Sequence, residues 1–196
     1  MPLATIGTLI LWMGWYGFNA GSYLSFSSDA DASNVARIFL NTNLAAAGGV
    51  IAAAFISFFK RNRFDLSFML NGALGGLVAI TAEPLFPTPL MSFAIGVGAG
   101  FILFFAIQLL EDLKIDDVVG AIPVHLFCGV WGTIAVPFTN PDATILGQLI
   151  SVLIIMAYVA CATGFVWYML HKSIGLRVTS ETENVGLDEV SLVGST

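Results

Sequence analysis

His125 sits inside an uncharged stretch that runs from Asp117 to Asp142. A neutral imidazole can donate one hydrogen bond and accept another, and its ordinary pKa lies near neutrality. In apolar surroundings that suits either a hydrogen-bonded packing residue or a ring lining a narrow path for a small polar molecule. Pro123 lies two residues before it. A proline removes a helix hydrogen bond and can kink the segment that carries the histidine. A second group is Trp15, Phe18 and Ser22. Phe18 and Ser22 are spaced to share one helix face, with Trp15 on the same side. A hydroxyl one turn above an aromatic ring could strip water from a small cation and hand it to a dry passage. A belt of aromatics at a lipid–water boundary would equally account for Trp12, Trp15 and Tyr16. Cys128 and Cys161 fall in apolar stretches without paired spacing and read as packing residues. His125 and Cys128 lack a further ligand for a metal.

The elements that position these residues follow from composition. Of 196 residues, 57% are hydrophobic and only 10% are charged, against roughly 25% charged in a soluble domain. So few charges cannot cover a soluble surface, which excludes a soluble globular enzyme, a nucleic-acid-binding module and a disordered chain. There is no basic run to meet a nucleic acid. An intramembrane enzyme would need paired acids, a Ser–His pair or a full metal-ligand set, and the pattern offers none of them. The fold class expected is an all-α polytopic membrane protein. Apolar stretches at about 3–26, 38–59, 66–82, 90–110, 118–138 and 144–170 predict six transmembrane helices. An open sheet would leave backbone groups unpaired in lipid, and the ~10-residue alternation of a barrel is missing.

The Ser/Asp-rich segment 27–37 and the Pro-rich segment 83–89 read as loops, and Asp116 or Asp117 is placed to cap the fifth span. Asn41, Thr42 and Asn43 read as capping or helix–helix hydrogen-bonding groups, Asn71 as structural and Glu83 as a loop acid. With six spans both termini share a side, and Lys60, Arg61, Arg63, Lys114, Lys172 and Arg177 then face it while Arg37 faces the other. That bias makes the shared side cytoplasmic. It predicts a multi-pass cell-membrane domain over 1–172 and a cytoplasmic tail over 173–196. The pairs Gly17/Gly21, Gly72/Gly76 and Gly96/Gly100 predict close backbone approach between helices. The abrupt apolar start at Met1 predicts further sequence upstream.

Several segments together resemble the Amt/Mep/Rh ammonium transporters: LWMGWYGFNAGS from Leu11, NTNLAAAG from Asn41, NGALGGLVAIT from Asn71, IDDVVGAIPVHLFCGVWGT from Ile115 and GLRVTSETENVGLD from Gly175. The resemblance runs through nearly the whole chain in order. It implies the second five-helix repeat plus the last helix of an eleven-helix trimeric transporter. By position, it implies that Ser22 helps hold ammonium, Phe18 is one of two stacked gating rings, Trp15 lines the pathway and His125 is the second of two pore histidines. The first histidine, the other ring and the remaining aromatics would belong to the other half. The partners implied are ammonium or ammonia, the lipid bilayer, a homotrimer completed by the N-terminal half, and a PII-type regulatory protein on the cytoplasmic face. No cofactor is implied. Two positions depart from the family pattern: Gly120 stands where an Asp is expected five residues before His125, and Ala82-Glu83-Pro84 follows Thr81. The function implied is transmembrane ammonium/ammonia transport past the histidine. The alternative is a non-conducting fragment, or a sensor or partner subunit.

Overall fold

The computed structural model describes residues 1–187; residues 188–196, which include the tail acids Asp188 and Glu189, lie outside the described residues. The described residues form helices and turns only, in the order α1 (Pro2–Gly21), α2 (Asp29–Arg61), α3 (Leu66–Thr81), α4 (Pro89–Asp112), a π turn (Ile122–Phe127), α5 (Cys128–Ala135), a 3-10 turn (Val136–Phe138), α6 (Ile145–Ser173) and α7 (Ser180–Val185). Three of these, α2, α4 and α6, are long and apolar enough to cross a membrane. Leu66–Thr81 and Ile122–Phe138 are apolar but shorter. The 20-residue α1, which carries Trp12, Trp15, Tyr16 and Asn19, is not among the three.

Local chemistry sets the helix ends. Pro2 and Pro89 occupy first-turn positions, where a missing N–H costs nothing. The side chains of Asp65 and Thr88 accept backbone N–H groups at the starts of α3 and α4. The segment 27–37 is not the loop its Ser/Asp content suggests. The Ser28 hydroxyl accepts the Asp31 N–H at 3.1 Å, Asp29 and Asp31 lie in the first turn, and α2 begins there. A cap trailed by acids is a helix start, and no Gly or Pro interrupts the helix before Gly48. At 33 residues, α2 rises ~50 Å, well beyond the ~30 Å of a bilayer core. Its first turns therefore stand clear of the apolar stretch. Conversely, α1 ends at Gly21 rather than near Phe26, and the chain after Asp117 makes a turn before becoming helical at Ala121.

Residues 1–152 form one unit. Its centre is a layer of small residues between α2, α3 and α4. A side-chain carbon on Gly49 would overlap the Gly72 carbonyl, and one on Gly76 or Gly96 would overlap the Ala45 carbonyl. One on Gly100 would lie 2.7 Å from the Gly49 carbonyl oxygen. Such contacts let backbones meet where lipid offers no hydrophobic drive. Gly17 and Gly21 do not join this layer, because nothing lies within 4 Å of the side chain either would carry. The expected pairing on α1 is thus absent among the described residues: α1 turns Thr8, Asn19 and Ala20 inward and leaves Gly17 and Gly21 exposed. Around the layer pack the buried Leu77, Leu103, Phe104, Val124 and Cys128.

The second unit starts at Leu153 within α6. In it the apolar helix runs on to His171 and Lys172, and the Lys172 cation suits a helix C-terminus. Short α7 is capped by Thr179, and Arg177 pairs with Glu183 at 2.8 Å.

Candidate functional site

Trp15, Phe18 and Ser22 come together at the C-terminal end of α1. The Trp15 and Phe18 ring centroids are 5.9 Å apart, tilted at 55°. Trp15 Nε1–H donates to Thr81 Oγ1 at 2.7 Å, and Thr81 donates in turn to the Leu77 carbonyl at 2.7 Å. That chain of donors fixes the indole against α3. Phe18 is held by no such bond and is 61% exposed. The Ser22 hydroxyl donates to the Phe18 carbonyl at 2.8 Å. Its proton is thus spent on the backbone, and the oxygen lone pairs remain free to accept from a cationic N–H donor.

Neighbouring bonds set how α1 lies on α2. Tyr16 Oη–H donates to Asn43 at 2.8 Å, and the Asn19 amide donates to Thr42 at 3.0 Å in a buried setting. Thr42 and Asn43 act as helix–helix groups, as expected, but they cap nothing, because α2 has already begun at Asp29. Asn41 donates to the Pro84 and Pro87 carbonyls, both at 2.9 Å, and so ties α2 to the Pro-rich connector.

The loop after Ser22 closes on Asp31. Its carboxylate accepts the Ser27 N–H at 3.0 Å and hydroxyls from Ser25 at 2.8 Å and Tyr23 at 3.1 Å. The Ser27 backbone N–H first, then the Ser25 and Ser28 hydroxyls, hold this carboxyl well below the usual carboxylate range.

His125 lies elsewhere, on the π turn, and its side chain is exposed. Among the described residues its ring makes no hydrogen bond, to the three α1 residues or to any other. Both groups nevertheless border α3. Trp15 is tied to Thr81, a side-chain carbon on Gly75 would sit 3.0 Å from the Cys128 sulfur, and one on Gly132 would overlap the Ala79 carbonyl. From Thr81 to Gly75 is ~9 Å of helix rise, and His125 precedes Cys128 by most of a turn. The imidazole therefore lies on the order of 13 Å from the indole along α3, toward the end that carries Lys60 and Arg61. Beyond it, a cavity of about 400 Å³ is lined by Arg61, Asp65, Asn71, Glu111, Asp117 and Pro123 among others.

Two residues that hold this arrangement carry signals readable in the sequence. Asp117 caps the turn as expected, its carboxylate accepting the Ala121 and Ile122 N–H groups at 2.9 and 2.7 Å. Gly120 has φ +77°, a left-handed conformation that favours glycine, and a Cβ there would lie 2.9 Å from the Asn71 amide nitrogen. The glycine thus has a local structural reason. Thr81, by contrast, gives no sign in sequence that it receives the Trp15 indole.

The chain matches the Ammonium Transporter Family over residues 1–195. It belongs to that family. It is 42% identical to the ammonium transporter Amt2 of Archaeoglobus fulgidus, with 96% of this chain and 44% of the relative covered. It is 38% identical to the ammonium transporter Amt1 of Methanocaldococcus jannaschii, covering 98% and 49%. Among solved structures, a sensor Amt protein superposes with a TM-score of 0.87 at 35% identity, covering 96% of this chain and 48% of that one. Candida albicans Mep2 superposes with a TM-score of 0.79 at 25% identity, covering 90% and 43%. The chain therefore spans about half the length of the relatives it matches, and its all-helical membrane fold is theirs.

Proposed function

We propose that this chain forms one wall of an ammonium/ammonia pathway. The observation that carries the proposal is the exposed His125 ring, which makes no hydrogen bond among the described residues, on a segment that packs on α3 as the helix carrying Trp15, Phe18 and Ser22 does. Ser22 and the aromatic faces replace part of the water around ammonium at the outer mouth. Carrying the charge onward through an apolar passage would cost several kcal/mol or more. Ammonium gives up its proton to water near Phe18, uncharged ammonia travels on to His125, and the proton crosses separately by relay. An imidazole exchanges hydrogen bonds with ammonia and relays a proton, taking one up at one ring nitrogen as it gives one up at the other, and this relay carries the charge that a current reads. Potassium has no proton to lose and is refused. The opposite wall comes from the N-terminal half, and the whole assembles as a homotrimer in the cell membrane. Its tail and inner loops face the cytoplasm, where a PII-type protein docks.

A whole transporter containing this chain, reconstituted in planar bilayers, tests the reading. His125→Ala is expected to cut ammonium-dependent current by at least ~10²-fold, the scale seen when a positioned proton-handling group is lost. Undiminished, potassium-excluding current rejects the role given to His125. A second reading is favoured by the likeness to the sensor Amt protein: the chain acts as a sensor or partner subunit and conducts nothing. Ammonium binding to the purified protein without any current would support it.

A further inference from the structure

The helical segment around His125 carries one residue more than an α-helix would accommodate between its two anchors. Downstream, α5 is fixed in register. The Cys128 thiol donates to the Ala99 carbonyl at 3.5 Å, the Trp131 indole N–H donates to the Ile95 carbonyl at 2.9 Å, and Gly132 lies against the Ala79 backbone. Upstream, the Asp117 carboxylate holds the Ala121 and Ile122 N–H groups, and Gly120 is pressed against Asn71. Between these points the Cys128 N–H reaches back five residues to the Pro123 carbonyl, which widens the turn into a π turn.

The extra residue decides what His125 faces. In a continuous α-helix, residues three apart lie about 60° from each other around the axis. His125 would then stand beside Cys128 inside an apolar stripe that is typically about 100° wide or more. In the wider turn Pro123 and Val124 stay buried with Cys128, while His125 swings well over 60° away from Cys128 and faces outward.

We propose that the π turn is a register device, with Asp117 and Gly120 as positioning residues, that takes the imidazole off the packing stripe and presents it on the exposed wall. Its consequence for transport rests on the pathway reading above; the geometry does not. Tightening the turn to α-helical register withdraws the ring.

The test reads ring exposure directly. The detergent-solubilised chain is treated with diethyl pyrocarbonate, which acylates accessible neutral imidazoles, and peptide mass spectrometry compares His125 with exposed His171, the only other histidine. Deleting Ile122 shortens the segment by the extra residue. It is expected to lower the His125/His171 acylation ratio by at least about fivefold, since buried groups react only through local opening. Asp117→Ala keeps the chain length and releases the upstream anchor, so the turn can tighten and the ratio falls by at least about twofold. Ile122→Ala keeps both anchors and leaves the ratio unchanged. An Asp117→Ala chain whose His125 reacts as in the parent overturns the proposal, even if the deletion variant fails to fold. If the ratios shift as expected while His125→Ala leaves the current of the whole transporter intact, the register device stands and the pathway role falls.

Discussion

Replacing Gly132 by Ala places one methyl group against a backbone. The new Cβ would overlap the Ala79 carbonyl oxygen and lie 2.7 Å from the Ala79 Cα. Comfortable carbon contacts begin near ~3.5 Å, so α5 must retreat from α3 by about an ångström. Backbone cannot swing aside as a side chain can. Overpacking of this kind costs ~1–3 kcal/mol, and the better helix propensity of alanine returns up to ~1 kcal/mol. The net expectation is a loss of ~1–2 kcal/mol, or ~2–8 °C in melting temperature for a chain of this size. The buried Cys128 thiol, one turn away, supplies the assay. Its reaction with a maleimide dye on heating the detergent-solubilised chain should occur at a lower temperature in the variant, after correction for exposed Cys161. Gly17→Ala is the matched control, with the same chemical change at a helix position where nothing lies within 4 Å. It should melt no earlier than the parent. A Gly132→Ala chain as stable as the parent, or a Gly17→Ala chain equally impaired, refutes the argument that backbone approach at α5–α3 sets this stability.

Trp15→Phe and Thr81→Val each remove the 2.7 Å indole bond to α3, and each should cost ~0.5–1.5 kcal/mol. A double variant losing the full sum of the two would show that the pair is not coupled. Asp31 predicts an acid dependence. Its folded carboxyl lies below the ordinary range, so its contribution is complete above the unfolded pKa of ~4 and fades as pH falls from there toward the folded value. Melting between about pH 6 and pH 3 should therefore drop more for the parent than for Asp31→Asn, and parallel pH profiles would contradict the bonding seen at that carboxylate.

Much of this architecture follows from composition and punctuation alone. Apolar length places α4 and α6, the Glu83–Pro89 prolines mark the connector, and Asp117 announces a cap. The errors have a common cause. At 27–37, polarity outweighs a helix-start signature, because helix is equated with apolar run, whereas α2 extends beyond its apolar run from the Ser28 cap. At Gly17 and Gly21, spacing alone implies a packed face. Spacing shows only that two glycines share a side, not that a partner helix lies on that side, and among the described residues nothing lies within 4 Å of a side chain on Gly17 or Gly21. The same limit applies to Thr81, whose role as acceptor for Trp15 depends on two helices separated by sixty-six positions.

The π turn shows the limit most sharply. Counting by fours and threes from Cys128 puts His125 on the buried stripe, where it would be a satisfied core histidine. Only the anchors on either side, Asp117 on its own turn and Cys128 against α4, show that one residue too many lies between them. A sequence count assumes a uniform helix, so by itself it leaves a packing histidine and a path-lining one both open. The site is therefore legible as a set of residue types, but its orientation is a property of two fixed ends and the number of residues between them. Any substitution that moves either end should alter the exposure of His125 without touching the ring.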